Sequence, residues 1–514
     1  VAPGTERRRR RHPGAAAGGG AAASRGQELS SALPVERCQV DLPVGIAFRL
    51  RELRWGRGAA TRIERFESIH WDTPDLRLAG WDAGLRYRRG RGWRVTLAGW
   101  PEAGAFRRVF VDLEGGQSAP PAEALRLLSP YLRGAEVQQV ARLRHLETAR
   151  RVGELWAIHQ VVSLLVDRHA VAHARRVSVR SHGPLGGERR ALAALRKAGV
   201  EGTTPQSLIA ELVGAAAPRW RERPLDREST VTEAVSAALR DYAARLVRNE
   251  AIVLEGSDPE GVHQARVACR RYRSALQTFA PVLEPAWTAE LRDELGTVAT
   301  DLGAVRDTEV LLMRLRTSAA ARGVDGEATE RLLSRLVGER VLARDVLISV
   351  IESDEHRELL ERLLAAAAQP AVLPATAGQP ASAVLLPLME ASWRKLARRV
   401  RRLDARPSDD DLHQVRIAAK KCRYAVLALV PLLGEGPART GARLGALQDA
   451  LGEQHDAVVA GSWLQDAVLR AADPETAFTA GVLYGAERER AEAGREAWQE
   501  SWRALDRRKG WGWM

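Results

Sequence analysis

His263-Gln-Ala-Arg-Val-Ala-Cys-Arg-Arg-Tyr-Arg273 recurs 150 residues later as His413-Gln-Val-Arg-Ile-Ala-Ala-Lys-Lys-Cys-Arg423, with every basic position kept. Read as a helix at about 100° per residue, offsets of 0, 3, 7 and 10 fall within an arc of roughly 80°. His263, Arg266, Arg270 and Arg273 therefore share one face, as do His413, Arg416, Lys420 and Arg423, with Arg271 and Lys421 at the edge of each stripe. Two such cationic stripes, each headed by a histidine, point to a polyanion site made by a duplicated unit.

The duplication extends outward from these segments. Downstream stand Leu302-Gly-Ala-Val-Arg-Asp307 and Leu451-Gly-Glu-Gln-His-Asp456, so the histidine-to-aspartate spacing is 44 residues in one copy and 43 in the other. Upstream, Arg245 and Arg248 lie 18 and 15 residues before His263, and Lys395 and Arg398 lie at the same distances before His413. A period near 150 is too long for a solenoid repeat and predicts two helical bundles related by internal pseudo-symmetry. A carboxylate inside a basic patch is best placed as an ion-pair partner, so Asp307 and Asp456 are read as orienting the cations rather than binding metal. The histidines are candidates for capping a helix or donating to phosphate; no nucleophile or metal partner is visible that would make them catalytic bases.

A chain of 514 residues suits two or three domains. Its net charge of +13, with arginine far outnumbering lysine, favours an acidic partner: nucleic acid, an anionic membrane or polyphosphate. Cys38, Cys269 and Cys422 have no metal-ligand spacing and read as buried or free thiols of a reducing compartment. No apolar stretch approaches the ~20 residues of a membrane span. The basic run Arg7 to Arg11 is followed by alanine and glycine rather than an apolar core, so no secretion signal is read and the expected location is the cytoplasm.

Composition and periodicity divide the chain. Residues 1–33 form a basic, Ala/Gly-rich tail read as disordered. Residues 34–215 mix short alternating runs (Val40 to Val44, Leu85 to Leu97, Ala170 to Val179) and the apolar run Leu155 to Val166 with helical stretches at Ile46 to Leu53, Ala122 to Leu132 and Glu188 to Gly199. This pattern predicts an antiparallel sheet or barrel. Residues 216–229 read as a linker, and 230–510 as almost wholly helical, opening on the capping box Thr230-Val-Thr-Glu233. The Pro/Ala-rich stretch Gln369 to Gln379 separates a first repeat, about 230–366, from a second, about 380–510, each with room for about four helices.

The two His-x-x-Arg-(Val/Ile)-Ala-x-(Arg/Lys)-(Arg/Lys)-x-Arg segments and the two Leu-Gly-x-x-x-Asp segments closely resemble the CHAD family, the conserved-histidine α-helical domain. The resemblance covers roughly 230 to 505. It implies two four-helix bundles about a pseudo-twofold, a basic face that binds inorganic polyphosphate, and association with polyphosphate granules. The polyphosphate-binding set so implied is His263, Arg266, Arg270, Arg271, Arg273, His413, Arg416, Lys420, Lys421 and Arg423, with Arg245, Arg248, Lys395 and Arg398 upstream. The N-terminal half resembles the CYTH family of triphosphate tunnel enzymes through Asp72-Thr-Pro-Asp-Leu-Arg-Leu-Ala79, Gly84-Leu-Arg-Tyr-Arg88 and Trp93-Arg-Val-Thr-Leu97. That likeness implies a closed antiparallel β-barrel whose lumen holds a triphosphate and a divalent metal. The expected fold class is therefore α+β: a β-barrel followed by an all-α domain.

Departures from the CYTH pattern decide the expected chemistry. The family's opening Glu-x-Glu-x-Lys becomes Glu36, Cys38 and Val40, and its Thr-Leu-Lys becomes Thr96-Leu-Ala98. Its later Glu-x-Glu pairs fall near Val109 to Asp112 and Val177 to Arg180, and Asp167 is the only acid between Glu154 and Glu188. Magnesium wants oxygen ligands, partly carboxylates, and a lumen without most of its glutamates holds that ion poorly. Arg86 and Arg88 remain candidates for phosphate contacts, and Asp167 for a family acid. The leading expectation is a non-catalytic polyphosphate-binding protein, without cofactor or metal. The alternatives are a CYTH-type triphosphatase whose CHAD half recruits substrate, and a nucleic-acid-binding module. Against the last, aromatics are only 5% of the chain and no base-reading motif occurs.

Overall fold

The computed structural model describes residues 38–43, 61–98, 101–102, 105–106, 109–152, 155–181, 207–213, 225–471 and 473–506. The tail at 1–33 and the helical stretches expected at Ile46 to Leu53 and Glu188 to Gly199 lie outside them.

The N-terminal half is an antiparallel sheet of eight strands: β1 (Cys38–Pro43), β2 (Thr61–Asp72), β3 (Gly84–Arg88), β4 (Gly92–Leu97), β7 (Val109–Leu113), β8 (Gln138–Val152), β9 (Leu155–Val166) and β10 (His169–Ser181). Their order is β1-β10-β9-β8-β2-β3-β4-β7. The barrel expected from the sequence is not closed, because no hydrogen-bonded pair joins β1 to β7 among the described residues. A separate two-stranded ribbon, β5 (Pro101–Glu102) with β6 (Ala105–Phe106), interrupts the chain between β4 and β7, and β6 lies against β1.

Alternation along the strands sorts the side chains to two faces. On β3 and β4, Leu85, Trp93, Val95 and Leu97 are buried on the outer face, while Arg86, Arg94 and Thr96 point to the concave face. The outer face packs on α2 (Ala122–Leu132), which follows the one-turn helix α1 (Arg77–Gly80) in the chain. Asp72 ties down the turn before α1 by accepting from the backbone N–H groups of Thr73, Leu78 and Ala79 at 2.7–2.9 Å. A short helix, α3 (Leu208–Val213), closes one end of the concave face by burying Ile209 and Leu212 against Leu143, Val162 and Ala174.

The helical half contains α4 (Val231–Glu255), α5 (Glu260–Phe279), α6 (Pro285–Arg322), α7 (Glu327–Glu352) and α8 (Asp354–Ala368). After the short α9 (Pro374–Ala377) come α10 (Ala381–Arg401), α11 (Asp409–Leu427), the short α12 (Val430–Leu433), α13 (Glu435–Arg470) and α14 (Pro474–Asp506). The two repeats align helix for helix: α4, α5 and α6 answer α10, α11 and α13. The fourth helix is continuous as α14 in the second repeat and broken at Ser353 into α7 and α8 in the first. The pseudo-twofold is visible in the backbone where α4 and α10 begin. Thr230 and Pro380, 150 positions apart, form an antiparallel bridge in which Val231 N–H donates to Gln379 O (3.0 Å) and Ala381 N–H donates to Ser229 O (2.8 Å).

Both helices that carry the cationic stripes bury one apolar face. On α5 the buried positions Val262, Ala265, Cys269, Tyr272, Leu276 and Phe279 recur at three or four residues, the spacing of a helix stripe. On α11 they are Leu412, Val415, Ala419, Cys422 and Val426. Ser408 caps α11 with a capping box to Asp411, and three aspartates fill its first turn, where they favour the helix dipole. Gly261 lets α5 approach α4: a Cβ there would stand 2.8 Å from Ile252 Cγ2 and 3.2 Å from Val253 N.

The sheet and the helices share one core. Trp81, Leu127, Leu128 and Tyr131 belong to the same buried cluster as Val247 and Leu254 of α4. Polar contacts frame this contact: Arg126 donates to Glu352 (3.0 Å) and to Leu254 O (3.3 Å), and Arg133 and Arg77 both reach Glu361, at 2.8 and 3.1 Å. At the far end of the bundles a buried charge cluster joins the repeats. Glu487 of α14, fully buried, accepts from Arg314 Nε (2.6 Å) and Ser318 Oγ (3.1 Å) and pairs with Arg490.

Candidate polyanion-binding site

Helices α5 and α11 pack on each other, and the two stripes meet there. Arg266 and Arg270 from the first repeat lie close enough to Arg416 and Lys420 from the second to raise the cost of charging both. Burial, then Arg270, Arg416 and Arg266, pull the Lys420 ammonium down to about 7. Burial likewise lowers Arg416, only partly offset by Asp456. The two aspartates act as the sequence suggested. Asp307 holds Arg266 at 2.8 Å and Asp456 stands 3.6 Å from Arg416. Arg270 and Lys420 have no ion-pair partner among the described residues, so four cations face two carboxylates.

The histidines lie in the first turns of α5 and α11 but cap neither, since the caps are Pro259 and Ser408. His413 Nδ1 lies 3.3 Å from His455 Nδ1, with the ring centroids 4.6 Å apart. At the matching place in the first repeat, His263 has Arg306 as neighbour, and burial followed by Arg306 holds it below the usual imidazole range. Burial, Arg416 and His413 do the same to His455. Arg306 and His455 were missed in the sequence reading, although each immediately precedes the matched aspartate of its copy.

Further along the stripes, Arg273 and Arg423 lie flat against α6 and α13, where glycines leave room. A Cβ at Gly296 would stand 3.5 Å from Arg273 Nη2, and one at Gly445 would stand 3.3 Å from Arg423 Cζ. Arg423 donates one long bond to Gln448, at 3.3 Å. The Nε atoms of Arg271, Arg273, Arg416 and Arg423 are buried without a hydrogen-bond partner among the described residues.

The remaining basic positions do not join this cluster. Arg271 stands near Tyr242 and Arg245, and Arg245 is spent on Asp241 at 2.8 and 2.9 Å. Arg248 faces the N-terminal half, its guanidinium 5.8 Å above the Trp81 ring, and burial lowers its pKa. Lys395, Arg398 and Lys421 line a separate groove of about 750 Å³ between α10, α11 and the end of α5, together with Arg399 and Arg402, which the sequence reading did not single out.

In the N-terminal half, Arg86 points into a small cavity of about 120 Å³ on the concave face, with Arg94, Arg176, His70 and His145. Ser68 Oγ bridges the two rings, 3.0 Å from His70 Nε2 and 2.7 Å from His145 Nε2. Burial and then Arg86 keep both imidazoles neutral, His70 at about 3. Arg94 pairs with Asp112 (2.6 Å) and Arg176 with Glu211 (2.7 Å). Arg88 is tied to Glu64 and covers the Phe66 ring at 3.8 Å. Asp167 lies outside the concave face: Asp167 and Arg168 have φ of 48° and 68° and form the exposed turn between β9 and β10, as a hairpin turn of the primed type requires. Among the described residues no three His, Cys, Asp or Glu side chains are grouped to hold a metal ion. The described lining of the concave face, guanidiniums and neutral histidines with Asp82 as its one acid, therefore does not fit the divalent metal that the CYTH likeness implies.

Residues 237–465 match the CHAD domain family model. Two uncharacterized proteins of Mycobacterium tuberculosis are each 27% identical over 494 residues, covering 88% of this chain and 93% of theirs. Among solved structures, the helical half is similar to PptA from Streptomyces chartreusis (26% identity, 54% of this chain and 100% of that one, TM-score 0.46). It is also similar to the CHAD domain from Ricinus communis (29%, 55% and 96%, TM-score 0.45). The PH1819 protein from Pyrococcus horikoshii matches 34% of this chain and 98% of its own at 14% identity, with a TM-score of 0.24. Residues 237–465 therefore form a CHAD domain, preceded in the chain by an antiparallel sheet whose motifs resemble the CYTH family.

Proposed function

We propose that the cluster where α5 meets α11 binds inorganic polyphosphate, and that the protein does so without catalysing its turnover. The observation that carries this reading is the convergence of Arg266, Arg270, Arg416 and Lys420 from two repeats, with only Asp307 and Asp456 to balance them. Such an excess of buried charge costs free energy unless an anion meets it. A long anion suits this reading, because the basic stripes continue along both helices to Arg273 and Arg423. A linear chain of phosphates can touch many of these groups in succession, and guanidiniums offer paired donors that stay charged. Attachment to polyphosphate granules in the cytoplasm is the setting this reading implies. Among the described residues no helix is long and apolar enough to cross a membrane.

The triphosphatase alternative is disfavoured by the concave face, where Arg94, Arg176 and Arg88 are tied to Asp112, Glu211 and Glu64 and the histidines are neutral. The test of the proposal is a titration of the full chain with long-chain polyphosphate, tripolyphosphate and RNA. Charge reversal at Arg266, Arg270, Arg416 and Lys420 is expected to abolish polyphosphate binding while circular dichroism stays unchanged. A folded quadruple variant that binds like the parent places the site elsewhere. RNA that competes on equal terms favours the nucleic-acid reading.

A further inference from the structure

The groove lined by Lys395, Arg398, Arg399, Arg402 and Lys421 is separate from the central cluster. It opens on the α10 side of α11, whereas Arg416 and Lys420 face α5. Among the described residues none of Lys395, Arg398, Arg402 and Lys421 forms an ion pair, and Arg399 donates only to the neutral Gln414, at 2.9 Å. Of the two acids at its edge, Asp411 is committed to the cap with Ser408. Asp410 is the acid left to meet a ligand.

The pseudo-symmetry shows that this surface is particular to the second repeat. At the positions 150 earlier, Arg399 and Arg402 are answered by Asn249 and Ile252, both buried. Lys395 is answered by Arg245, which Asp241 neutralises, whereas the groove has Ala391 at that aspartate's place. Arg398 is answered by Arg248, which Trp81 covers. Ser274, which leaves the groove open, is answered by the larger Tyr424. One half thus uses this face to seat the N-terminal domain, and the other leaves it as an open cationic trough.

The trough also has an apolar floor. Pro281, Leu388, Ile417 and Ala418 line it, with Ser274, Thr278 and Gln277 beside them. A bare phosphate chain gains nothing from such a floor, and Asp410 repels it. A planar, hydroxyl-bearing ligand gains from both, because the floor accepts a ring and the carboxylate accepts from hydroxyl or amino groups. The volume of about 750 Å³ falls within the roughly 300–1,000 Å³ of small-molecule sites. We infer that this groove is a second site, for a nucleoside polyphosphate, with the phosphates on Arg398, Arg402 and Lys421 and the nucleoside on Ile417 and Leu388.

The test is calorimetric titration of the full chain with ATP and with inorganic tripolyphosphate, both without added metal. Because ATP can also meet the central cluster, the titrations are done in an Arg266→Glu/Arg416→Glu background. ATP is expected to bind there about tenfold or more tighter than tripolyphosphate, the gain coming from the ring on the apolar floor. Adding Arg398→Glu/Arg402→Glu should weaken ATP by about tenfold or more, as lost charge-assisted bonds require. Ile417→Ser should weaken ATP and leave tripolyphosphate unchanged. If charge reversal disturbs the circular dichroism spectrum, Arg398→Gln/Arg402→Gln takes its place with the same expectation. Equal affinity for the two ligands, no saturable ATP binding in this background, or ATP affinity indifferent to the arginine pair would each overturn the inference. None of these outcomes bears on polyphosphate at the central cluster.

Discussion

Replacing Lys420 by arginine should remove a proton uptake that otherwise accompanies polyphosphate binding. Lys420 is the one titratable cation in the central four, and burial with Arg270, Arg416 and Arg266 around it holds its pKa at about 7, against an ordinary 10.5. In the free protein at pH 8 it is therefore only about one-tenth charged. A bound polyanion turns that repulsion into attraction and moves the pKa back up. Binding then takes up about half a proton at pH 7 and close to one near pH 8.5. By linkage, affinity falls as pH rises through this window, by up to about tenfold per pH unit. The sign for stability is opposite in the free protein. There the folded pKa lies below the unfolded one, so stability without ligand rises with pH between 7 and 10.5. The facing groups do not blur the window. The acids there are Asp307 and Asp456, and His263 and His455 are held below their ordinary range, so they titrate on the acid side. The assay is calorimetry at pH 7, 8 and 8.5 in two buffers of different ionisation enthalpy, which yields the protons taken up. Lys420→Arg should bind with little uptake and a flat pH profile across this range. Lys420→Met should also lose the uptake and bind more weakly throughout. Uptake at pH 8 that persists in Lys420→Arg would refute the reasoning.

Polyphosphate affinity should drop steeply with salt, and more steeply for long chains than for tripolyphosphate, because a long chain releases more counterions as it spans both stripes; equal slopes would mean a small local pocket. The purified protein should give no magnesium- or manganese-stimulated hydrolysis of tripolyphosphate above a blank; turnover that disappears in Arg86→Ala would establish the enzyme reading instead. Glu487→Leu should destabilise the helical half by about 3–5 kcal/mol in urea unfolding, because Arg490 and Arg314 lose a buried partner; a loss under about 1 kcal/mol would show that water replaces the carboxylate.

The elements whose signals are local were the ones legible in the sequence. The stripe spacing placed the cations on one helical face each, Ala122 to Leu132 read as the helix it is, and the capping box at Thr230 and Glu233 forms as its residue types require. Legibility ended where a face had to be matched with what it meets. Arg248 and Arg398 stand at the same offset from their histidines, yet one is covered by Trp81 and the other lines an open groove. Nothing in either repeat alone announces that difference, because it is set by a domain more than a hundred residues upstream. The open sheet was hidden for a similar reason. Alternation gives a strand its two faces but not its last neighbour, and here the β5–β6 ribbon lies beside β1 instead. Asp167 looked like a site residue only because acids are scarce around it, while its positive φ shows that the turn accounts for it.

The difference between Arg248 and Arg398 comes from the breaking of an inherited symmetry. Where both repeats kept their partners, in Arg266 with Asp307 and Arg416 with Asp456, the duplicated sequence led directly to the central cluster. Where one repeat acquired a neighbour, its copy of the surface was filled and the other was released. The same logic acts within the centre. Arg306 keeps a fixed charge beside His263, and His455 puts a titratable one beside His413; Arg270 is permanently charged, and its counterpart Lys420 is not. At these two paired positions, Arg306 with His455 and Arg270 with Lys420, the first repeat has an arginine and the second a group that titrates at or below neutral pH. A duplicated site can in this way hold its ligand with one half and adjust its grip with the other, without any change of fold.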